Sequence, residues 1–133
     1  MNLISLNHIL RTWDSDRGVQ IDIAEDHTDY IQSLCVENGW VATGGQGDKK
    51  IMVYRTNSGG KLTRKHTCCG HTGWVRKLAI MGETMVSGSL DMTLRVWDLV
   101  TGHQVLLCSI FNKRATDLKH LTSKRQGDKR NVE

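Results

Sequence analysis

Three side chains of this sequence have the types that a hydrolase needs. His71 could serve as base, Ser87 as nucleophile and Asp91 as the carboxylate that orients the imidazole. A second set, His66-x-Cys68-Cys69-x-His71, has the types of a metal site. Its spacing matches none of the usual zinc patterns, and adjacent residues of a strand point to opposite faces. The expectation there is a strand end running into a loop, with no metal. The sequence shows no phosphate-binding glycine loop, nucleophile elbow or metalloprotease helix.

Short strands must position these residues. Val75–Ile80, Thr84–Ser87 and Thr93–Trp97 are strand-like runs, with Gly82-Glu83 as a tight turn and Gly88–Asp91 as the second connection. The stretch opens on Gly70-His71 and closes on Trp97-Asp98. The same punctuation recurs: Trp13-Asp14, Tyr54-Arg55 and Trp97-Asp98 lie 41 and 43 residues apart, and His27 and His71 lie 44 apart. Residues 1–14 align without gaps to 85–98, placing Ser5 on Ser89, Asn7 on Asp91, Arg11 on Arg95 and Trp13 on Trp97. Trp40–Thr43 and Ile51–Tyr54 supply the inner strands of the middle repeat, and Ile31 and Leu34 match Val75 and Leu78. Val19–Ile23, Lys61–His66 and His103–Ile110 read as outer strands.

The opening Gly-His, the closing Trp-Asp and a period of about 40–45 residues resemble the WD40-repeat family. The resemblance covers residues 1–110: a partial blade over 1–25, a repeat over 26–66 and another over 67–110. It implies an all-β fold of antiparallel four-stranded propeller blades in an incomplete ring, about three blades' worth, followed by a basic tail. A ring has 4–8 blades, so either a longer chain or association of copies would complete it. Beginning at the second strand of a blade favours a piece of a longer protein.

The resemblance also implies a hydrogen-bonded chain of His71, Ser87, Asp91 and Trp97, and in the middle repeat of His27, Thr43, Asp48 and Tyr54. Buried imidazole, hydroxyl, carboxylate and indole groups can satisfy one another, so the Ser/His/Asp trio is expected to be structural. The middle repeat departs from the pattern: Asp26 stands for glycine, Tyr54-Arg55 for Trp-Asp, and its Gly44–Gly47 turn is one residue longer.

The family implies a non-enzymatic platform for protein or peptide partners. Its top-face positions match Tyr30 and Gln32 in the middle repeat, and Trp74, Arg76 and Leu90 in the last. For Trp74 the alternative is packing against the neighbouring blade. The clipped, proline-free hairpin at Ile80–Thr84 is similar to blades of F-box/WD-repeat ubiquitin-ligase substrate receptors, although the sequence contains no F-box.

Composition limits the remaining classes. Hydrophobic content of 38% and charged content of 24% suit a globular protein. No apolar run approaches a membrane span, and no secretory leader is evident, so reduced cysteines and an intracellular setting, cytoplasm or nucleus, are expected. No cofactor or small-molecule substrate is implied. Residues 1–110 carry eleven basic and eleven acidic side chains; residues 111–133 carry seven and three. Nucleic acid could therefore engage only the tail, where Lys113-Arg114, Lys124-Arg125 and Lys129-Arg130 read as a solvated end or a polyanion-binding element. Ala115, Leu118 and Leu121 could mark a short helix.

Overall fold

The computed structural model describes residues 2–109, and the basic tail lies outside the described residues. Eleven strands form three antiparallel sheets in sequence order. The first contains β1 (Asn2–Leu6), β2 (Ile9–Asp14) and β3 (Val19–Ala24). The second contains β4 (Ile31–Glu37), β5 (Trp40–Gly45), β6 (Ile51–Thr56) and β7 (Leu62–Cys68). The third contains β8 (Val75–Met81), β9 (Thr84–Ser89), β10 (Thr93–Asp98) and β11 (Gln104–Ser109). Each is a meander in which every strand pairs with its sequence neighbours, so the described chain is three blades of an incomplete propeller.

Turn chemistry sets the hairpins. Asn38 and Gly39, both at positive φ, join β4 to β5 as a two-residue turn of type I′ geometry; Gly82-Glu83, with only Gly82 at positive φ, joins β8 to β9 as type II′. Their backbone twist matches that of the strands they connect. The connections from the second to the third strand of each blade differ in length, and this changes register. In the third sheet Arg95 pairs with Ser87, and in the second Met52 pairs with Thr43. In the first sheet Arg11 pairs with Ile4, because Asn7-His8 closes a two-residue hairpin. The gap-free match of 1–14 to 85–98 therefore holds for β2 and slips by one residue in β1. Ile4, not Leu3, occupies the place of Ser87.

Packing is blade on blade. Trp40, Ala42, Ile51, Val53 and Cys68 of the second sheet meet Val75, Ile80, Met85, Trp97 and Leu99 of the third region. Leu10 of the first sheet, with Leu3 and Ala24 beside it, meets Val41, Met52 and Tyr54. Close approach shows at Gly44, where a Cβ would fall within 3 Å of the Val75 side chain and Ser33 Oγ. Polar seams reinforce the contacts: Ser33 Oγ donates to the Val75 carbonyl at 2.9 Å, and Thr12 Oγ1 to the Gly60 carbonyl at 2.9 Å.

Candidate functional site

The third sheet brings His71, Ser87, Asp91 and Trp97 into one chain of bonds. Trp97 Nε1 donates to Ser87 Oγ at 2.9 Å, and Ser87 Oγ lies 2.7 Å from His71 Nε2. His71 Nδ1 lies 2.9 Å from Asp91 Oδ2. Because an ionised carboxylate only accepts, Nδ1 carries the proton and Nε2 accepts from the serine. Asp91 also accepts from the Thr72 and Thr93 amides and the Thr93 hydroxyl. Partial burial pushes the Asp91 carboxyl up, but these donors and His71 outweigh it and hold the group well below the usual carboxylate range. Burial pushes the His71 imidazole below its usual value against the pull of Asp91.

This geometry answers the hydrolase question for the trio. Ser87 is fully buried within the sheet, with its oxygen already engaged by an indole and an imidazole. A nucleophile must be reachable by substrate, and Ser87 is not. The trio fixes the loop before β8 onto the strands behind it.

The second sheet repeats half of this arrangement. His27 Nε2 lies 2.8 Å from Thr43 Oγ1, and His27 Nδ1 lies 2.9 Å from Asp48 Oδ2. Tyr54, expected to end the chain on Thr43, donates its hydroxyl to Asp26 Oδ2 at 2.8 Å, and the Thr43 side chain also bears on the phenol oxygen. Arg64 Nη1 donates to the other Asp26 oxygen at 3.0 Å. A phenol oxygen stands farther from the strand than an indole N–H, which brings the Asp26 carboxylate within its reach. Burial, then the bond to Asp26, pushes the Tyr54 phenol above its usual range.

Asp26 is thus a working member of the site that sequence reading treated only as a departure from glycine. The substitution is matched by two others. At Gly70, the position of Asp26 in the third sheet, a Cβ would fall 2.7 Å from Arg95 Nη1. Met52 replaces Arg95 in the middle sheet and clears that space, while Arg64 stands where Gln104 receives Arg95 Nη1 at 2.7 Å. The first sheet has no such chain: Ile4 fills the serine position, and the buried Trp13 Nε1 has no partner among the described residues.

The partner-binding candidates cluster at the loop end of the second and third sheets. The Gln46 amide donates to the Tyr30 carbonyl and the Leu90 amide to the Trp74 carbonyl, tying each aromatic residue to its neighbouring turn. Tyr30, Leu90 and Arg76 are exposed; Trp74 is 39% exposed and Gln32 intermediate. Both Gln32 and Arg76 fall at register shifts, between Ile31 and Ser33 and between Val75 and Lys77. Such bulges re-aim a side chain. Sequence reading missed Met92, exposed at positive φ immediately after Asp91; its only signal was that adjacency.

The cysteine-histidine cluster disperses. His66 Nε2 faces the Val100 carbonyl at 3.2 Å, Cys68 is buried with its thiol pushed up to about 12 by burial and by Cys69, and Cys69 is exposed. Both nitrogens of His71 are engaged as above. Among the described residues, no group of three or more His, Cys, Asp or Glu side chains is placed to hold a metal.

Comparison with known proteins agrees with this architecture. The family model described as "WD domain, G-beta repeat" matches residues 62–98. Mitochondrial division protein 1 of Candida glabrata is 30% identical over 106 residues, covering 73% of this chain and 15% of that protein. An uncharacterized WD repeat-containing protein of Schizosaccharomyces pombe is 31% identical over 96 residues, covering 71% and 25%. The chain therefore spans a quarter or less of these relatives, and the likeness carries the repeats rather than the whole proteins. The solved structure of U3-55K superposes with a TM-score of 0.68 at 18% identity, over 77% of this chain and 33% of that one, a likeness of fold alone. Blade topology, repeat punctuation and these matches lead to one statement: the chain belongs to the WD40-repeat family, as a partial β-propeller.

Proposed function

We propose that the chain is a non-enzymatic interaction element that binds a protein or peptide partner at the loop end of its second and third blades. The observation that carries this reading is the repetition of an exposed aromatic residue followed by a bulge, Tyr30 with Gln32 and Trp74 with Arg76. Aromatic and arginine side chains dominate binding energetics because they offer large area with a polar tip. Trp74 and Arg76 are the anchors, with Leu90 and Tyr30 flanking. Arg95 is bonded to Gln104 within the blade, so of the two arginines weighed for the alternative, a substrate-recognition part of an F-box/WD-type ubiquitin ligase, only Arg76 stands among the face candidates.

The test is quantitative affinity capture with the wild-type chain and with Trp74→Ala/Arg76→Ala. Partners held by the first and lost from the second, with an unchanged β-sheet circular dichroism spectrum, support the reading. Equal capture by both, or loss of the folded spectrum, overturns the assignment of these residues as anchors.

A further inference from the structure

Each sheet finishes on an outer strand, β3, β7 or β11, and the three edges differ in charge. β3 and β7 are edges although the chain runs on past them, so the edge is a property of the blade itself. Arg64 and Lys65 are exposed along β7, and β3 carries Asp22 near its middle. Charged side chains on an edge strand discourage pairing with another chain. β11, with the sequence Gln104-Val105-Leu106-Leu107-Cys108-Ser109, has none.

The same strand is apolar and open. Leu107 is 49% exposed and Val105 61%. Leu107 pairs with Arg95, which pairs with Ser87, the acceptor of the Trp97 indole. It therefore stands on the face turned toward the second sheet, and its exposure arises with that neighbour already in place. The corresponding residue of β7 is Thr67, paired with Met52 and donating its hydroxyl to the Met52 sulfur. The register shift between Val96 and Trp97 does not set β11 apart, because the first and second sheets repeat it.

We propose that the β11 edge pairs antiparallel with the β11 edge of a second copy of this chain, joining two blades side by side through main-chain bonds. In strand addition the backbone supplies affinity and the side chains supply choice of partner. A second copy is the occupant because this strand is complementary to itself. With Leu107 on the two-fold axis, Leu107 stands opposite its own counterpart, Leu106 opposite Cys108, and Val105 opposite Ser109. Both faces of the joined strands then match in polarity, and no charge is brought against another. The contact is isologous, so it closes at two copies. One strand pair is small beside the interfaces of stable complexes, and the copies separate on dilution. Neither Trp74 nor Arg76 takes part, so the pairing stands independently of the partner reading.

Light scattering on the full chain, over a wide concentration range, reads the outcome. Monomer in exchange with a species of twice the 15.0 kDa chain mass is expected. Leu107→Lys sets two lysines directly opposite each other, where like charges destabilise a strand pair, and should raise the dimer dissociation constant at least tenfold. Thr67→Lys, at the matching place on β7, should leave it unchanged. Val105→Lys replaces Leu107→Lys if the latter loses its β-sheet spectrum. Leu107→Cys, combined with Cys69→Ser to remove the exposed thiol, should form an interchain disulfide on mild oxidation. Opposed residues of an antiparallel pair lie within disulfide reach. A monomer at every concentration, a mass that grows without limit, a dimer indifferent to lysine on β11, or a Leu107→Cys chain that stays uncrosslinked overturns the proposal. So does a monomer that dimerises only after removal of residues 111–133, which would give the edge to the chain's own C-terminal segment.

Discussion

The Tyr54 hydroxyl donates to Asp26 at 2.8 Å, twenty-eight positions earlier in the chain, and so secures the entry loop of the second blade one residue before His27, which bonds Asp48. In the third blade the equivalent indole of Trp97 is turned inward onto Ser87. The two solutions anchor the same loop with different donors. Tyr54→Phe should therefore destabilise the fold by about 1 kcal/mol, the usual net value of one hydrogen bond. Asp26→Ala should cost more, since it leaves the buried phenol without its carboxylate acceptor; loss of the exposed Arg64 pair adds little. A double-mutant cycle in urea should show coupling between positions 26 and 54. No coupling would mean that the bond contributes nothing to stability.

Gly70 and Arg95 exclude each other's alternatives. A Cβ at position 70 would crowd a guanidinium that Gln104 holds in place, and Gly70 sits at φ 152°. Gly70→Ala is expected to lower stability by roughly 1–2 kcal/mol from crowding and backbone strain together. Adding Arg95→Met, the residue type found at Met52, should recover part of that loss. Denaturant midpoints of the two single variants and the double variant decide the matter; simple additivity would refute the steric link.

Much of the architecture could be read from the sequence because Trp13-Asp14, Tyr54-Arg55 and Trp97-Asp98 lie 41 and 43 residues apart and His27 and His71 lie 44 apart. The strands between them alternate or run apolar, so their existence and order followed. Register did not follow in β1. Ser5 and Asn7 match Ser89 and Asp91 in type, and a hairpin shortened by one residue leaves no trace in such a match. The Tyr54–Asp26 bond was hidden because each residue looked like a lapse from the pattern, and only their distance shows that the lapses compensate. Which strand residues sit at a bulge, as Gln32 and Arg76 do, depends on ladder pairing that residue types alone do not specify.

Ser87→Ala separates structure from chemistry. It removes the shared partner of the Trp97 indole and the His71 imidazole, leaving two buried polar groups unsatisfied. Each such group costs about 1–3 kcal/mol, so a loss of roughly 2–5 kcal/mol is expected in thermal or urea unfolding. The wild-type protein should remain unlabelled by a serine-directed fluorophosphonate, because Ser87 has no exposed surface. Labelling that vanishes in Ser87→Ala would reverse the structural assignment of the trio.

The His71–Asp91 pair also sets a pH dependence with a definite sign. Burial lowers the imidazole pKa in the folded state, with the charge of Arg95 adding to it and Asp91 opposing it. An unfolded histidine titrates near 6.5, so on acidification the unfolded chain takes up this proton first. That contribution to stability is complete above about pH 6.5 and declines below it. Asp91 adds a second decline at lower pH. Its folded carboxyl lies below the unfolded value of about 3.9, so its contribution is present above that value and lost as pH falls through the acid range. Unfolding free energies measured from pH 8 to pH 3 should therefore show two descending segments. In His71→Gln, whose amide can still donate to Asp91 and accept from Ser87, the upper segment should flatten relative to wild type. In Asp91→Asn the lower one should. A wild-type protein that gains stability between pH 6.5 and 5 through position 71 would require a raised imidazole pKa. It would mean that the charge of Asp91, rather than burial, governs this histidine.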